Sequence, residues 1–205
     1  PAEFALANAV ANLLTDAGQR ALRRSYAGKY KRNQAAEPEP YARVALDTNV
    51  SLYRGPDGVP EDKTLVVAFA GAAQRLMVPI CVALQCLPSA RHDVVFARDP
   101  ARNHFDLGAP GYAESLPATV QRLRTDLALE RYSRVVTLGT SMGGFPALRA
   151  GVLLDADLAI SLGGRPIWHI NRLLDHRPDL SPFDLLCPCG PSGSELLLIY
   201  AADSE

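Results

Sequence analysis

The chain has 205 residues, with Lys+Arg 21 against Asp+Glu 22, a formal net charge of -1 and 48% apolar residues. At about 150 residues per domain this is one domain with an appendage, and the apolar content is that of a chain able to build a core. The balanced charge supplies no global positive field for nucleic acid, and no apolar run approaches the roughly 20 residues that span a bilayer. Neither nucleic acid nor a membrane is expected as a partner.

In chain order, residues 4–24 carry helical periodicity, with Phe4, Ala7, Val10, Ala11, Leu14, Ala17 and Ala21 on one stripe. The basic residues after it, from Arg20 to Arg32, read as a solvated helix end, because acidic residues elsewhere balance them. Residues 33–40, NQAAEPEP, read as a linker. Residues 1–32 are therefore expected to be an N-terminal helix closing an upstream domain, with intramolecular contacts to flanking domains. Residues 41–205 are expected to be the main domain.

Residues 41–46 and 49–53 are short runs rich in strand formers, followed by the turn sequence RGPDG. The run 65–70, LVVAFA, is continuously apolar and ends at Gly71, the mark of a strand covered on both faces. The same signature recurs at 93–97, 134–138, 157–162 and 196–201. Between them lie helical segments. The clearest is 116–130, where Leu116, Val120, Leu123 and Leu127 share a face behind a candidate N-cap, Ser115, with Pro117 in the first turn. This alternation predicts an α/β fold, a mainly parallel doubly wound sheet. The strands at Leu65, Val94, Val135 and Leu158 are expected side by side in its core.

Between the run at 134–138 and the helical segment 145–154 stands Gly139-Thr140-Ser141-Met142-Gly143-Gly144, a G-x-S-x-G match. The spacing has a steric reason: a serine on a very tight strand-to-helix turn takes a strained backbone conformation, and its neighbours must lack side chains. Its hydroxyl then projects above the sheet, and the Met142 N–H faces the same spot from the helix start, where a developing oxyanion can be held. Pro146 removes one donor early in this helix and is expected to kink it slightly.

In these residues the chain resembles the α/β-hydrolase superfamily, over roughly 41–205. The elbow carries most of the resemblance, together with the strand end Phe69-Ala70-Gly71, the pair Arg98-Asp99 and the loop Leu107-Gly108-Ala109-Pro110-Gly111. The resemblance implies Ser141 as nucleophile and Met142 and Ala72 (with Ala73 as alternative) as oxyanion donors. It also implies Asp203 as the acid after the last strand, with Glu205 as fallback. The family order nucleophile, acid, histidine would put the histidine after Glu205.

Four histidines are present, His92, His104, His169 and His176, and all precede Asp203. His92 and His104 read as surface residues, with His92 at the opposite sheet edge, and His169 as an ordinary helix residue. The chain is thus expected to be part of a longer protein, poorly active without that histidine. The function implied is cleavage of an ester, thioester or amide in a small-molecule acyl substrate through an acyl-enzyme. An acyltransferase and a non-catalytic accessory domain are the alternatives. No cofactor is expected. Cys81 and Cys86, and Cys187 and Cys189, lack zinc-site spacing and read as free thiols of a reducing, cytoplasmic compartment.

Overall fold

Strands that are apolar on both faces must be covered on both faces, and the apolar runs of this chain are placed accordingly. The computed structural model describes residues 39–164 and 193–199. The expected N-terminal helix, most of the linker, Cys187, Cys189, His169, His176, Asp203 and Glu205 lie outside the described residues.

Seven strands among the described residues form one sheet: β1 (Ala42–Ala45), β2 (Val50–Arg54), β3 (Thr64–Phe69), β4 (His92–Ala97), β5 (Arg134–Thr140), β6 (Leu158–Leu162) and β7 (Glu195–Ile199), in the order β1-β2-β4-β3-β5-β6-β7. From β4 to β7 every neighbouring pair is parallel, with Val66 opposite both Val94 and Val136. The strands at Leu65, Val94, Val135 and Leu158 are contiguous, as the apolar runs predict. Strands β1 and β2 add an antiparallel edge, with Val50 opposite Ala97.

Among the described residues three α-helices accompany the sheet: α1 (Ile80–Leu84), α2 (Leu116–Leu127) and α3 (Gly144–Leu154). Alternate residues of the central strands feed two cores. Leu65, Val67, Phe69, Val95 and Ala97 pack with Leu116, Val120 and Leu123 of α2 and Ala147, Ala150 and Leu154 of α3. Val66, Ala68, Val94 and Phe96 pack on the other face with Leu84 of α1 and Leu76. Helix α3 lies tight on the sheet, since a Cβ at Gly151 would stand 2.4 Å from that of Ala159. No helix among the described residues is long and apolar enough to cross a membrane.

Helix α2 begins as expected. The Ala118 N–H donates to Ser115 Oγ at 3.2 Å, and Pro117 falls in the first turn. It ends earlier than expected, at Leu127. Ala128 turns left-handed at φ 48° and a separate 3₁₀ turn follows at Leu129–Arg131. Tertiary burial of Leu129 outweighs the helical propensity of the alanine that breaks the helix.

Candidate active site

Strand β5 ends at Thr140, and the chain enters α3 through a single 3₁₀ turn, Ser141–Gly143. Ser141 sits in this turn at φ 52°, in the left-handed region. A non-glycine residue pays about 1–2 kcal/mol there. Ser141 is exposed, whereas Thr140 and Met142 on either side are buried. The glycines explain how the turn closes. A Cβ on Gly139 would lie 1.9 Å from the Gly143 carbonyl oxygen, and one on Gly143 would lie 2.4 Å from the Phe69 carbonyl oxygen. Gly144 lets the helix start approach β6, because a Cβ there would stand 2.3 Å from Ser161 Oγ.

The loop after β3 closes over the same spot. A Cβ on Gly71 would be 3.5 Å from Ser141 Cβ. The Gly71 N–H donates to the Arg75 carbonyl at 3.0 Å, and Thr140 Oγ1 donates to that carbonyl at 3.4 Å. Gln74 carries the turn at φ 57° and donates from Nε2 to the Asp99 carbonyl at 2.7 Å. Ala72 and Ala73 stand exposed at the head of the loop. The Met142 N–H belongs to the first turn after Thr140, where no carbonyl of the turn can accept it. An exposed serine, a first-turn amide with no acceptor in its own turn and the loop at the end of the neighbouring strand β3 meet at one place.

His104 was expected at the surface and is not. It is half-buried, and its Nδ1 lies 3.1 Å from the Met142 carbonyl oxygen, so Nδ1 carries the hydrogen and donates. Pro146 explains why that carbonyl accepts from a side chain. Residue 146 is the i+4 position whose N–H would bond the Met142 carbonyl in a continuing helix, and proline has no N–H. Pro146 lies within the first turn of α3, at its third residue.

The loop bearing His104 is strained, with Arg102, His104 and Phe105 at φ between 57° and 60°. It is anchored from below by Asp99, fully buried, whose Oδ2 accepts the Asn103 N–H at 2.8 Å and the Phe105 N–H at 3.0 Å. The Phe105 ring meets Phe69 edge to face at 5.1 Å. His92 opens β4 at the far end of the strand, as expected, but is likewise half-buried, its Nδ1 bonding the Pro88 carbonyl.

Among the described residues no cluster of His, Cys, Asp or Glu could hold a metal ion. Asp203, Glu205 and two of the histidines fall outside the described residues, so the described geometry joins Ser141, Met142, the 71–75 loop and His104.

No protein-family model and no curated protein matches the chain. Solved structures do. FphF, a fluorophosphonate-binding serine hydrolase of Staphylococcus aureus with substrate bound, is 12% identical with a TM-score of 0.53, over 79% of this chain and 79% of that one. The S-formylglutathione hydrolase FrmB of the same organism is 12% identical with a TM-score of 0.52, over 80% of this chain and 78% of that one. Esterase B from Lactobacillus rhamnosis, inhibited by a tributyrin phosphonate, is 14% identical with a TM-score of 0.40, and this chain covers 66% of it, slightly under two thirds. At these identities the likeness is one of fold.

Proposed function

We propose, from the premise that this chain has the α/β-hydrolase fold, that it is a serine hydrolase cleaving an ester, thioester or amide of a small-molecule acyl substrate. The observation that carries the reading is Ser141 itself, exposed and left-handed at φ 52° between glycines that admit no side chain. A non-catalytic turn has no need of that strain, which a glycine at 141 would remove.

In this reading Ser141 Oγ attacks the acyl carbon and its proton passes to the imidazole of a histidine outside the described residues. Asp203, or Glu205 in its place, orients that ring. The negative charge that builds on the acyl oxygen is met by the N–H groups of Met142 and Ala72, or of Ala73. Collapse breaks the bond to the leaving group, which takes the proton back from the imidazolium and departs. A water molecule then repeats the sequence and releases the acid, restoring the Ser141 hydroxyl. An alcohol or thiol in place of that water would make the same site an acyltransferase.

The test is covalent labelling of the natural full-length protein with a fluorophosphonate, which reacts with activated serines. One labelled site is expected, and Ser141→Ala should abolish it while leaving the thermal transition in place. Undiminished labelling of Ser141→Ala would assign the chemistry to another residue. An unlabelled wild-type protein would favour the non-catalytic alternative.

A further inference from the structure

On the sheet face away from α2 and α3, an open cleft of about 380 Å³ lies between β1, β2, β4 and the segment that follows β3. Its lining holds three arginines, Arg43, Arg75 and Arg98, and no carboxylate. In a chain whose overall charge is -1, that is a local excess of positive charge. None of the three is ion-paired among the described residues. Two are held by neutral acceptors instead. Arg43 donates from Nε and Nη2 to Ser51 Oγ on the cleft floor, at 3.2 and 3.1 Å, and Arg98 donates from Nη2 to the Thr48 carbonyl. A neutral acceptor fixes a guanidinium without compensating its charge, and the planar fork keeps further donors for a ligand. Asp99, which follows Arg98 in the chain and is fully buried, turns its Oδ2 to the amides of its own loop.

The cleft shares a loop with the candidate active site. Ala73, Gln74 and Arg75 line it, and the Arg75 carbonyl accepts from Thr140, the residue before Ser141. From β4 to β5 is two strand spacings, on the order of 10 Å. Given the reading of Ser141 as nucleophile, on which this rests, we propose that the cleft binds an oxyanion end group, carboxylate or phosphate, of a substrate whose acyl carbon lies at Ser141.

The experiment compares two p-nitrophenyl esters of equal chain length on the natural full-length protein, the neutral octanoate and the mono-ester of suberate, which ends in a carboxylate. The wild type should prefer the suberate ester in kcat/KM. That preference should fall by about tenfold for each of Arg43→Gln and Arg98→Gln, the effect of losing one charge-assisted contact. Arg98→Lys, which keeps the charge, should lose less. In a second arm, Ser141→Ala is titrated calorimetrically with suberate and with inorganic phosphate. Binding that weakens in the arginine variants is expected, and the stronger of the two ligands names the oxyanion.

Hydrolysis of the octanoate ester with no preference for suberate, and no binding of either anion, would overturn the cleft proposal and leave the hydrolase reading standing. Binding that depends on the arginines, with neither ester cleaved and Ser141 unlabelled, would overturn the reading of Ser141 and uphold the cleft. Arg43, exposed on the edge strand β1, carries the test if Arg98→Gln fails to fold.

Discussion

At the residue scale, Ser141 keeps a side chain where the backbone would prefer none. Its φ of 52° places Cβ against the following carbonyl, at about 1–2 kcal/mol. Ser141→Ala and Ser141→Gly both delete the hydroxyl, but only glycine also removes the steric conflict. Glycine loses more conformational entropy on folding, about 0.5–1 kcal/mol, so part of the gain is offset. Urea unfolding should show Ser141→Gly to be more stable than Ser141→Ala by about 0.5–1 kcal/mol. Equal stability, or alanine the better, would mean that the turn is relaxed and that its geometry stores nothing for catalysis.

Among elements, the start of α3 depends on a loop remote in sequence. The Met142 carbonyl loses its helical donor to Pro146 and recovers one from His104, held in place by the loop that Asp99 anchors. A donor at position 146 and His104 would therefore compete for one acceptor. His104→Ala alone should cost about 1–2 kcal/mol, because a buried carbonyl is left unpaired. In a Pro146→Ala background the new N–H at 146 takes that carbonyl, and the same histidine substitution should cost less. A double-mutant cycle should give a coupling of about 1 kcal/mol. Strict additivity would show that His104 and residue 146 do not share the Met142 oxygen.

How much of this was legible varies by element. Continuous apolar runs such as 65–70 declare a two-sided strand because burial on both faces leaves no alternation. The tight turn at Ser141 is legible because its glycines answer a steric demand at fixed spacing. Helix α1 was not, because five residues after Pro79 are too few to display a 3.6-residue period. The place of β4 between β2 and β3 is a tertiary outcome with no local signal. His104 lies in a loop without periodicity, and its partner is decided by a missing N–H at Pro146, some forty residues later. The pairing of a loop histidine with a proline in the first turn of the elbow helix is the signal that could have found it.

At the scale of the whole molecule, the two edges of the sheet have divided duties. The strands' carboxyl ends carry the left-handed residues Gln74, Arg102, His104, Phe105 and Ser141. The amino ends carry a buried polar network instead. Lys63 and Asp93, each 2% exposed, pair at 3.1 Å; Tyr132 donates to Asp93 Oδ2 at 2.9 Å, and the Gly55 N–H donates to Oδ1 at 3.0 Å. Burial, and after it the Asp93 charge, raise the Tyr132 phenol above its ordinary pKa, which favours its role as donor to Asp93.

Removing one member of a buried pair leaves a charge in low dielectric, which costs about 3–5 kcal/mol. Lys63→Met keeps the shape and deletes the charge. It should lower Tm by on the order of 10 °C, at the 2–4 °C per kcal/mol usual for a chain of this size. The exposed Arg131–Glu61 pair nearby is over half exposed on both sides and should matter little by comparison. Because Lys63 stands at the end of β3 opposite the elbow, fluorophosphonate labelling of Ser141, measured well below the transition, should proceed at the wild-type rate in Lys63→Met. A labelling rate that falls in step with Tm would show that the elbow's strain is carried by the whole sheet, with the two edges coupled through β3 and β5.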